Sequence, residues 1–330
     1  MSIRQVATRA GVSPATVSRV FTQPDAVAED TRRRVRAAAD ELGYVPNPVA
    51  RSLARGRSGN LGIVVQDIAN SFAAVIIKAV QQEARREDYA LFVAGAEHGG
   101  EDEHRLARAM AAQVDGLILV SPSMSDDQVR EIVAVTPVVL VNYELADVPA
   151  ALIPADDGTD QAVEHLHALG HRTVAYLTGP PIYSNTTRLH AFRAACARLE
   201  LTGLEIDVRD SRFSAGVRAA DLVLATPATA VLAFNDELAV GLLNRLADRG
   251  VRVPEEISVV GFDDTGLAAM VRPRLTTVRL PAAEAGRAAA RILVDRVPAG
   301  AHGTVEPLRL ASELIVRNST APAPPTSPPT

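Results

Sequence analysis

The chain has 330 residues, which is more than one ordinary hydrophobic core accommodates and therefore indicates two or three domains. Its apolar runs all fall short of the roughly 18 residues that a membrane-spanning helix needs. The N-terminal sequence MSIRQVATRAG has no apolar segment typical of a secretory signal. The single cysteine, Cys196, excludes an internal disulfide and disfavours a cysteine-ligated metal. We expect a cytoplasmic protein with no membrane segment, metal or cofactor.

The net charge of −5 conceals an uneven distribution along the chain. Residues 1–60 carry ten Arg and five Asp or Glu, which gives this segment a charge of +5. The remaining 270 residues carry 24 basic and 34 acidic side chains and have a charge of −10. A basic head on an acidic body is typical of a protein whose head alone contacts nucleic-acid phosphates.

Two short helical patterns begin the chain. Apolar side chains recur at helical spacing in residues 3–10, and Gly11 then provides the freedom for a tight turn. Ser13 is a suitable N-cap, and Pro14 is a suitable first residue for a second helix over residues 14–21. This is the pattern of a helix-turn-helix, whose second helix enters the major groove of DNA.

The second helix has distinct inner and outer faces. If Val17 and Val20 pack against the first helix, the outward candidates for DNA contact are Pro14, Ala15, Thr16, Ser18 and Arg19. An arginine can bind guanine O6 and N7, and an alanine can meet a thymine methyl group. Thr16 and Ser18 are candidate phosphate or base contacts. The alternative is a small helical bundle with an arginine on its surface.

The head continues with a third helix over residues 29–42, which Gly43 ends. The segment YVPNPVARSLARGRSGN follows, in which Asn47 can cap a helix too short to be stable alone. Two such helices side by side could insert Leu53 into the minor groove and bend the duplex. The alternative for this segment is a linker that carries an ordinary leucine.

The strings IRQVATRAGVSPATVSRVF, YVPNPVARSLARG and LGIVV together resemble the LacI/GalR family of transcriptional repressors. The resemblance implies that the short segment is a hinge helix and that Leu53 intercalates in DNA. It also implies a homodimer that binds a near-palindromic double-stranded operator. These are expectations from the family.

The remainder of the chain alternates short apolar runs with amphipathic stretches. LGIVV, ALFVA, GLILV and VVLVN read as buried parallel strands separated by helices at about 71–88, 101–113 and 125–134. A second series comprises TVAYL, AVLAF and ISVVGF, with helices near 186–200, 214–225 and 235–249. The fold class is therefore an all-α helix-turn-helix head joined to an α/β core of two parallel-sheet lobes.

The domain boundaries follow from these patterns. We expect a helix-turn-helix domain over 1–46, a hinge helix and linker over 47–60, a ligand-binding and dimerisation core over 61–318, and a disordered Pro-rich tail over 319–330. The helix near 282–296 should return to the first lobe, and the strands near 304–316 should join the second.

Ligands of parallel sheets bind at the carboxyl ends of the strands, so polar residues at those ends are candidates for a small-molecule site. The candidates are Asn70, Phe72, Ser121, Asn142, Asp157, Arg188, Phe213, Asn235 and Asp263, with Asp67, Asp236 and Asp264 nearby. Amide, carboxylate and guanidinium groups with aromatic rings favour a sugar or nucleoside. Alternatives remain: Asp157 and Asn235 as helix N-caps, Asp236 as a structural residue, Asp264 as a turn cap, and Arg188 as an exposed ion-pair partner.

The core also resembles the periplasmic-binding-protein fold of the family's sensor domain, through LTGPP, TTRLHAF, AFNDELAVG and ISVVGFDDT. The resemblance implies that Arg188, Asn235 and Asp263 contact the effector and that Phe213 stacks on it. The sequence departs from the family pattern at two places, which leaves the identity of the ligand open. Tyr143 and Glu144 stand where many relatives have an arginine, and Phe72 alone stands where the family usually has two aromatic residues.

Other functions lack support in the sequence. The histidines of HLHALGH do not share one helix face, which disfavours a zinc site. The strands are not followed by a nucleophile elbow, a Walker loop or a dinucleotide fingerprint, so we do not expect an enzyme. A solute-binding transport protein would share the core, but it would need a signal peptide and would lack the basic head.

Overall fold

The computed structural model describes residues 1–22, 24–44, 57–96, 99–299 and 306–325. The chain divides into two compact units, one made of residues 1–60 and 113–115 and the other of residues 61–112 and 116–330. The predicted hinge residues Asn47 and Leu53 lie outside the described residues.

The described residues of the head form three α-helices, at the places where the sequence of residues 1–46 predicts them. They are α1 (Ile3–Ala10), α2 (Pro14–Thr22) and α3 (Glu29–Glu41). Gly11 has a φ of 67°, and its N–H reaches the carbonyls of Ala7 and Thr8 at the end of α1. The Ser13 hydroxyl accepts a hydrogen bond from the Thr16 N–H at 3.1 Å and so acts as the predicted cap of α2. The buried residues of the head are Val6, Ala7, Ala10, Val17, Val20, Val35, Ala38 and Ala39.

The first lobe of the core has a six-stranded sheet in the order β11-β5-β4-β3-β1-β2. Its strands are β1 (Asn60–Val65), β2 (Ala90–Gly95), β3 (Gly116–Val120), β4 (Val138–Val141), β5 (Ala150–Leu152) and β11 (Leu308–Arg309). Its helices are α4 (Ser71–Arg86), α5 (Gly100–Ala111), α6 (Asp126–Val133) and α12 (Ala282–Ala299). The pairs β1–β3, β3–β4, β4–β5 and β5–β11 are parallel.

The second lobe has a six-stranded sheet in the order β12-β10-β9-β8-β6-β7. Its strands are β6 (Thr173–Leu177), β7 (Thr202–Ile206), β8 (Ala230–Ala233), β9 (Ser258–Asp263), β10 (Thr276–Arg279) and β12 (Glu313–Ile315). Its helices are α7 (Asp156–Ala168), α8 (Tyr183–Arg198), α9 (Phe213–Leu224), α10 (Asp236–Asp248) and α11 (Gly266–Met270). All its pairs are parallel except β10–β12, which is antiparallel.

The chain crosses between the lobes near its C-terminal end. Helix α12 packs on α4, β3 and β4 of the first lobe, as predicted. The prediction that both later strands join the second lobe is wrong for β11, because Leu308 and Arg309 pair with Ala151 and Leu152 of the first lobe. Strand β12 does join the second lobe. Each sheet therefore ends in a strand from this returning segment.

One strand of the first lobe is not buried as its apolar sequence predicted. Phe92 is 41% and Val93 is 42% exposed on β2, which lies at the edge of its sheet. An apolar run predicts a strand but does not show whether neighbouring elements cover both faces of that strand. The sequence therefore predicts a buried strand here, whereas β2 lies at the edge of its sheet and is partly exposed.

The predicted disorder of residues 319–330 is wrong for the first part of that segment. The Ser319 side chain is fully buried; its hydroxyl accepts a hydrogen bond from the Thr276 N–H at 2.8 Å. The Ala321 N–H donates to the Ser258 hydroxyl, and the Ala323 N–H donates to the Leu169 carbonyl. These hydrogen bonds extend the second lobe beyond residue 318, because a Pro-rich composition does not prevent a segment from pairing with a neighbouring strand.

Candidate DNA-binding helix and ligand cleft

Helix α2 presents the predicted outer face. Val17 and Val20 are buried, whereas Pro14, Ala15 and Arg19 are exposed, and Thr16 and Ser18 are partly exposed. The Thr16 hydroxyl also lies 2.9 Å from the Ser13 hydroxyl, so one of its hydrogen bonds is used within the cap. Within the described residues, Arg19 takes part in none of the ion pairs. Its guanidinium can therefore reach a base edge without first breaking a salt bridge.

A cleft of about 590 Å³, partly open to solvent, lies between the two lobes of the core at the carboxyl ends of their strands. The lining residues of the first lobe are Val65, Gln66, Asp67, Asn70, Phe72, Ala73, Val120, Ser121 and Asn142. Those of the second lobe are Pro180, Ile182, Ser184, Arg188, Ser211, Phe234, Asn235 and Asp263.

Arg188 occupies the wall of the cleft in the second lobe and is 4% exposed. Its guanidinium donates one hydrogen bond to the Phe234 carbonyl and another to the Asp263 carboxylate at 3.2 Å. The guanidinium carbon also lies 4.0 Å from the centroid of the Phe262 ring, within cation–π distance. Arg188 is thus a buried ion-pair partner, and the alternative of an exposed one is wrong.

Asp263 ends β9 with an unusual backbone, a φ of 103°. Burial raises the pKa of its carboxyl, while the Arg188 charge counteracts this effect and the nearby Asp236 adds to it. A non-glycine residue at positive φ is strained unless its surroundings hold it, and such residues cluster at binding sites. The Arg188–Asp263 pair therefore combines two features of a functional site: a buried charge pair and a strained backbone.

Asp236 is a structural residue, which confirms the alternative named for it in the sequence analysis. Its buried carboxylate accepts hydrogen bonds from the Thr277 hydroxyl at 2.6 Å and from the Thr265 N–H at 2.7 Å. Burial raises the pKa of Asp236 to about 6. Asp264 turns away from the cleft and pairs with Arg279 and Arg317. Together these bonds fix the loop that follows Asp263.

The opposite wall is built from strand ends of the first lobe. Ser121 and Asn142 directly follow β3 and β4 and have φ values of 45° and 54°. The Asn142 side-chain amide donates to the Ser121 hydroxyl at 3.3 Å, and the Gln66 amide donates to the Ser121 carbonyl at 2.9 Å. The wall therefore presents linked amide and hydroxyl groups, which suit the hydroxyl groups of a ligand.

Two asparagines in the lining also cap helices. The Asn70 side-chain oxygen accepts hydrogen bonds from the Phe72 and Ala73 N–H groups at the start of α4. The Asn235 side-chain oxygen accepts one from the Leu238 N–H at the start of α10. The cap alternative for Asn235 is confirmed. In both residues the oxygen serves the helix and the amide nitrogen remains to donate to a ligand.

The structure brings most predicted ligand residues together but leaves two outside the lining. Asn70, Phe72, Ser121, Asn142, Arg188, Asn235 and Asp263 all line the cleft. Asp157 is exposed in the first turn of α7, whose N-cap is Ala155, so the cap alternative for Asp157 is also wrong. Phe213 is 44% exposed at the start of α9. Its carbonyl packs so closely on α10 at Gly241 that a side chain at that glycine would clash, so the start of α9 is held against α10.

Sequence reasoning missed part of the lining: Val65, Gln66, Ala73, Val120, Pro180, Ile182, Ser184, Ser211 and Phe234. Phe234 directly precedes Asn235, so the end of strand β8 was a usable signal for it. Ser184 and Ser211 stand in loops or at helix starts, where serine is common for reasons of capping. No local pattern distinguishes them from ordinary loop serines.

The geometry defines a class of protein: a helix-turn-helix head joined to a two-lobed α/β core with a polar ligand cleft is the architecture of a ligand-responsive DNA-binding regulator. Residues 2–47 match the model of bacterial regulatory proteins of the lacI family, and residues 163–320 match a periplasmic binding protein-like domain. The chain is 32% identical to the HTH-type transcriptional repressor CytR of Escherichia coli K12 over 333 residues, covering 97% of this chain and 96% of CytR. The chain belongs to the lacI family of bacterial regulatory proteins.

Solved structures agree with this assignment. The lac repressor dimer bound to operator and the anti-inducer ONPF superposes with a TM-score of 0.85 at 30% identity, covering 97% of this chain and 99% of that one. The complex of the transcriptional regulator CelR with cellobiose superposes with a TM-score of 0.70 at 31% identity, with the same coverage. In the described part of the present chain, the helices are too short or too polar to cross a membrane.

Proposed function

We propose that this protein is a dimeric transcriptional repressor that binds a near-palindromic operator and changes its operator affinity when a neutral sugar or sugar derivative binds in the cleft. The observation that carries the proposal is the buried Arg188–Asp263 pair, held in the wall of a cleft between two lobes of a chain with a helix-turn-helix head. The relative CytR is named as a repressor, which supports repression as the outcome of DNA binding.

The charge of the lining favours a neutral ligand. Among the lining residues that the structure describes, Arg188 is the only cation, and its charge is already paired with Asp263. Asp67 adds a second carboxylate to the opposite wall. A phosphate or carboxylate ligand would have to approach these acidic groups without an unpaired cation to receive it. Hydroxyl groups, in contrast, can donate to the carboxylates and accept from the amides of Asn142 and Asn235.

The apolar part of the lining suits the flat face of a sugar or a base. Phe72 comes from the first lobe and Phe234 from the second, so both lobes contribute an aromatic ring. The cellobiose bound to CelR gives a solved example of a sugar ligand in a related regulator. In the described part of the chain, the lining contains serines but no histidine, cysteine or lysine to activate them, which supports a binding site.

The DNA claim is tested by selecting genomic fragments with the purified full-length protein and sequencing them. We expect an enriched near-palindrome, and we expect Arg19→Ala to lose a base preference in each half-site while retaining nonspecific binding. Arg105→Ala, which removes an exposed arginine of the core, is the control and should enrich the same sequence. Fragments without a common motif, both alone and with each ligand of the panel described next, would overturn the operator proposal.

The ligand claim is tested with matched neutral and phosphorylated compounds. Ribose, cytidine and cellobiose are titrated beside ribose 5-phosphate and cytidine monophosphate, with binding followed by calorimetry. We expect binding from the neutral members only, and none in Arg188→Ala. Preferential binding of a phosphorylated member would show that the charge argument is wrong, and binding that survives Arg188→Ala would place the ligand elsewhere.

A further inference from the structure

Two tyrosines from different lobes meet beside the cleft. Tyr143 follows β4 of the first lobe, and Tyr183 is the first residue of α8 in the second lobe. Their ring centroids are 5.1 Å apart and their planes are inclined by 51°. This tilted arrangement lies within the favourable range for aromatic pairs. The two lobes are therefore joined by a direct side-chain contact.

The residues next to these tyrosines line the cleft. Asn142 precedes Tyr143, and Ile182 and Ser184 flank Tyr183 in the sequence. Because adjacent residues share a backbone, a movement of either tyrosine displaces a lining residue of the same lobe. The distance between Asn142 and Ser184 across the cleft is thus linked to the tyrosine contact.

Tyr143 is fixed within its own lobe. Its hydroxyl donates to the Asp126 carboxylate at 2.6 Å, at the first residue of α6. Burial raises the pKa of Tyr143, and the hydrogen bond to Asp126 raises it further. The phenol therefore remains protonated and keeps its hydrogen bond, so the Tyr143 ring offers Tyr183 a surface that does not rotate freely.

Tyr183 lies close to Arg309 of β11, in the C-terminal segment that crosses between the lobes. Glu144 pairs with Arg309 of β11 at 2.7 Å, and both charges act on the Tyr183 hydroxyl. Burial raises the pKa of Tyr183, and Glu144 raises it further. A second cross-lobe contact exists at α4, where the Ser71 N–H donates to the Glu237 carboxylate at 3.4 Å. The tyrosine contact lies near the returning segment, where a small displacement changes the angle between the lobes.

We propose that Tyr143 and Tyr183 are positioning residues that set the angle between the lobes and thereby the width of the ligand cleft. Tyr143 supplies the anchored ring, and Tyr183 supplies the ring that moves with the second lobe. Loss of either ring frees the lobes to open. The proposal rests on the proposed function only in treating this cleft as the ligand site.

The angle between the lobes is monitored by double electron–electron resonance spectroscopy, which measures the distance between two spin labels. The sample is the full-length protein without ligand or DNA. Spin labels are attached at Arg105→Cys in the first lobe and Arg218→Cys in the second, whose native side chains are 73% and 66% exposed. The native Cys196 is buried and its pKa is raised to about 11, so it does not compete for the label. Dilution with unlabelled protein keeps each distance within one chain.

We expect one narrow distance distribution in the otherwise unchanged protein and in Tyr183→Phe, which keeps the ring. In Tyr183→Leu and Tyr143→Leu we expect the ratio of open to closed lobes to rise by roughly 2- to 13-fold, the range for one aromatic pair. Phe213→Leu removes an exposed ring outside the lining and serves as the control. If both leucine variants keep the original distribution, the positioning role is excluded. Because the measurement uses neither ligand nor operator, that result would leave the proposed function standing.

Discussion

The Arg188 guanidinium lies between the Asp263 carboxylate and the Phe262 ring, 3.2 Å from the first and 4.0 Å from the centroid of the second. The wall of the cleft therefore contains a buried arginine whose charge is paired with a carboxylate. Removal of one partner of such a pair leaves a buried charge without compensation, which costs on the order of 3–5 kcal/mol.

Two arginines on helix α8 should therefore differ in their effect on stability. We expect Arg188→Ala to lower the thermal midpoint of the core strongly, because Asp263 loses its counter-charge. Arg193→Ala on the same helix removes only an exposed ion pair with Glu205 of β7, so it should lower the thermal midpoint much less. Calorimetric unfolding of the two variants side by side measures the difference. Equal midpoints would show that the Arg188–Asp263 pair is not a buried charge pair in solution.

The buried His171 should make the second lobe sensitive to acid. Its Nδ1 lies 2.8 Å from the Thr229 hydroxyl, and its Nε2 lies 3.2 Å from the Ala321 carbonyl. The carbonyl can only accept, so Nε2 donates and Nδ1 accepts in the neutral ring. Burial lowers the pKa of His171, with a smaller contribution from the neighbouring His165.

Because the folded pKa lies below the unfolded one, the unfolded chain binds the proton more readily as the pH falls below about 6.5. The stability that His171 contributes is thus present above that pH and lost below it. Buried Asp236 and Asp263 have raised pKa values and act with the opposite sign, so the comparison is between the native protein and His171→Gln. We expect the difference between their thermal midpoints to shrink from pH 7.5 to pH 5.5. A constant difference would contradict the prediction.

The C-terminal segment should contribute measurably to stability. Ser319→Ala leaves the buried Thr276 N–H without its partner, which costs about 1–3 kcal/mol. Truncation after residue 318 should cost more, since it also removes the hydrogen bonds of Ala321 and Ala323. Truncation after residue 325 is the matched control and should leave the thermal midpoint unchanged. If both truncations lower the thermal midpoint by a similar amount, the hydrogen bonds of residues 319–323 do not stabilise the second lobe.

The hinge prediction concerns Leu53, which lies outside the described residues. If this leucine intercalates in the operator, Leu53→Ala should weaken binding to the selected operator while sparing binding to unrelated DNA. Competition binding with both kinds of DNA at one salt concentration measures this ratio. An equal loss for both kinds of DNA would contradict the role of a wedge.

The regular elements were predictable where apolar periodicity is strong. Strand β3, GLILV, is buried at every position and is recognisable from its sequence alone. Strand β10 contains two threonines and an arginine, and β5 has only three residues, so neither produces an apolar run long enough to notice. Their places in the sheets come from tertiary pairing, which a single sequence does not show.

The cleft was predictable to the extent that it follows from strand ends. Ser121, Asn142 and Asp263 stand at the end of a strand or directly after one. Asn235 is the second residue after β8, and all four line the cleft. The same rule about strand ends, with the family resemblance for Phe213, also predicts Asp157 and Phe213 in the cleft. Both are exposed at the start of a helix and lie outside the lining. Ser319 illustrates the reverse error, because composition suggested a free tail where one hydroxyl joins two strands.

The central claim is that a ligand in the cleft controls DNA binding by the head, and it is tested by measuring operator affinity with and without the bound compound from the neutral panel. We predict a change of about 5- to 150-fold in the native protein, the usual range for such coupling. Arg188→Ala should keep the ligand-free operator affinity but lose this change. An operator affinity that no panel compound alters, or a response that persists in Arg188→Ala, would contradict the account.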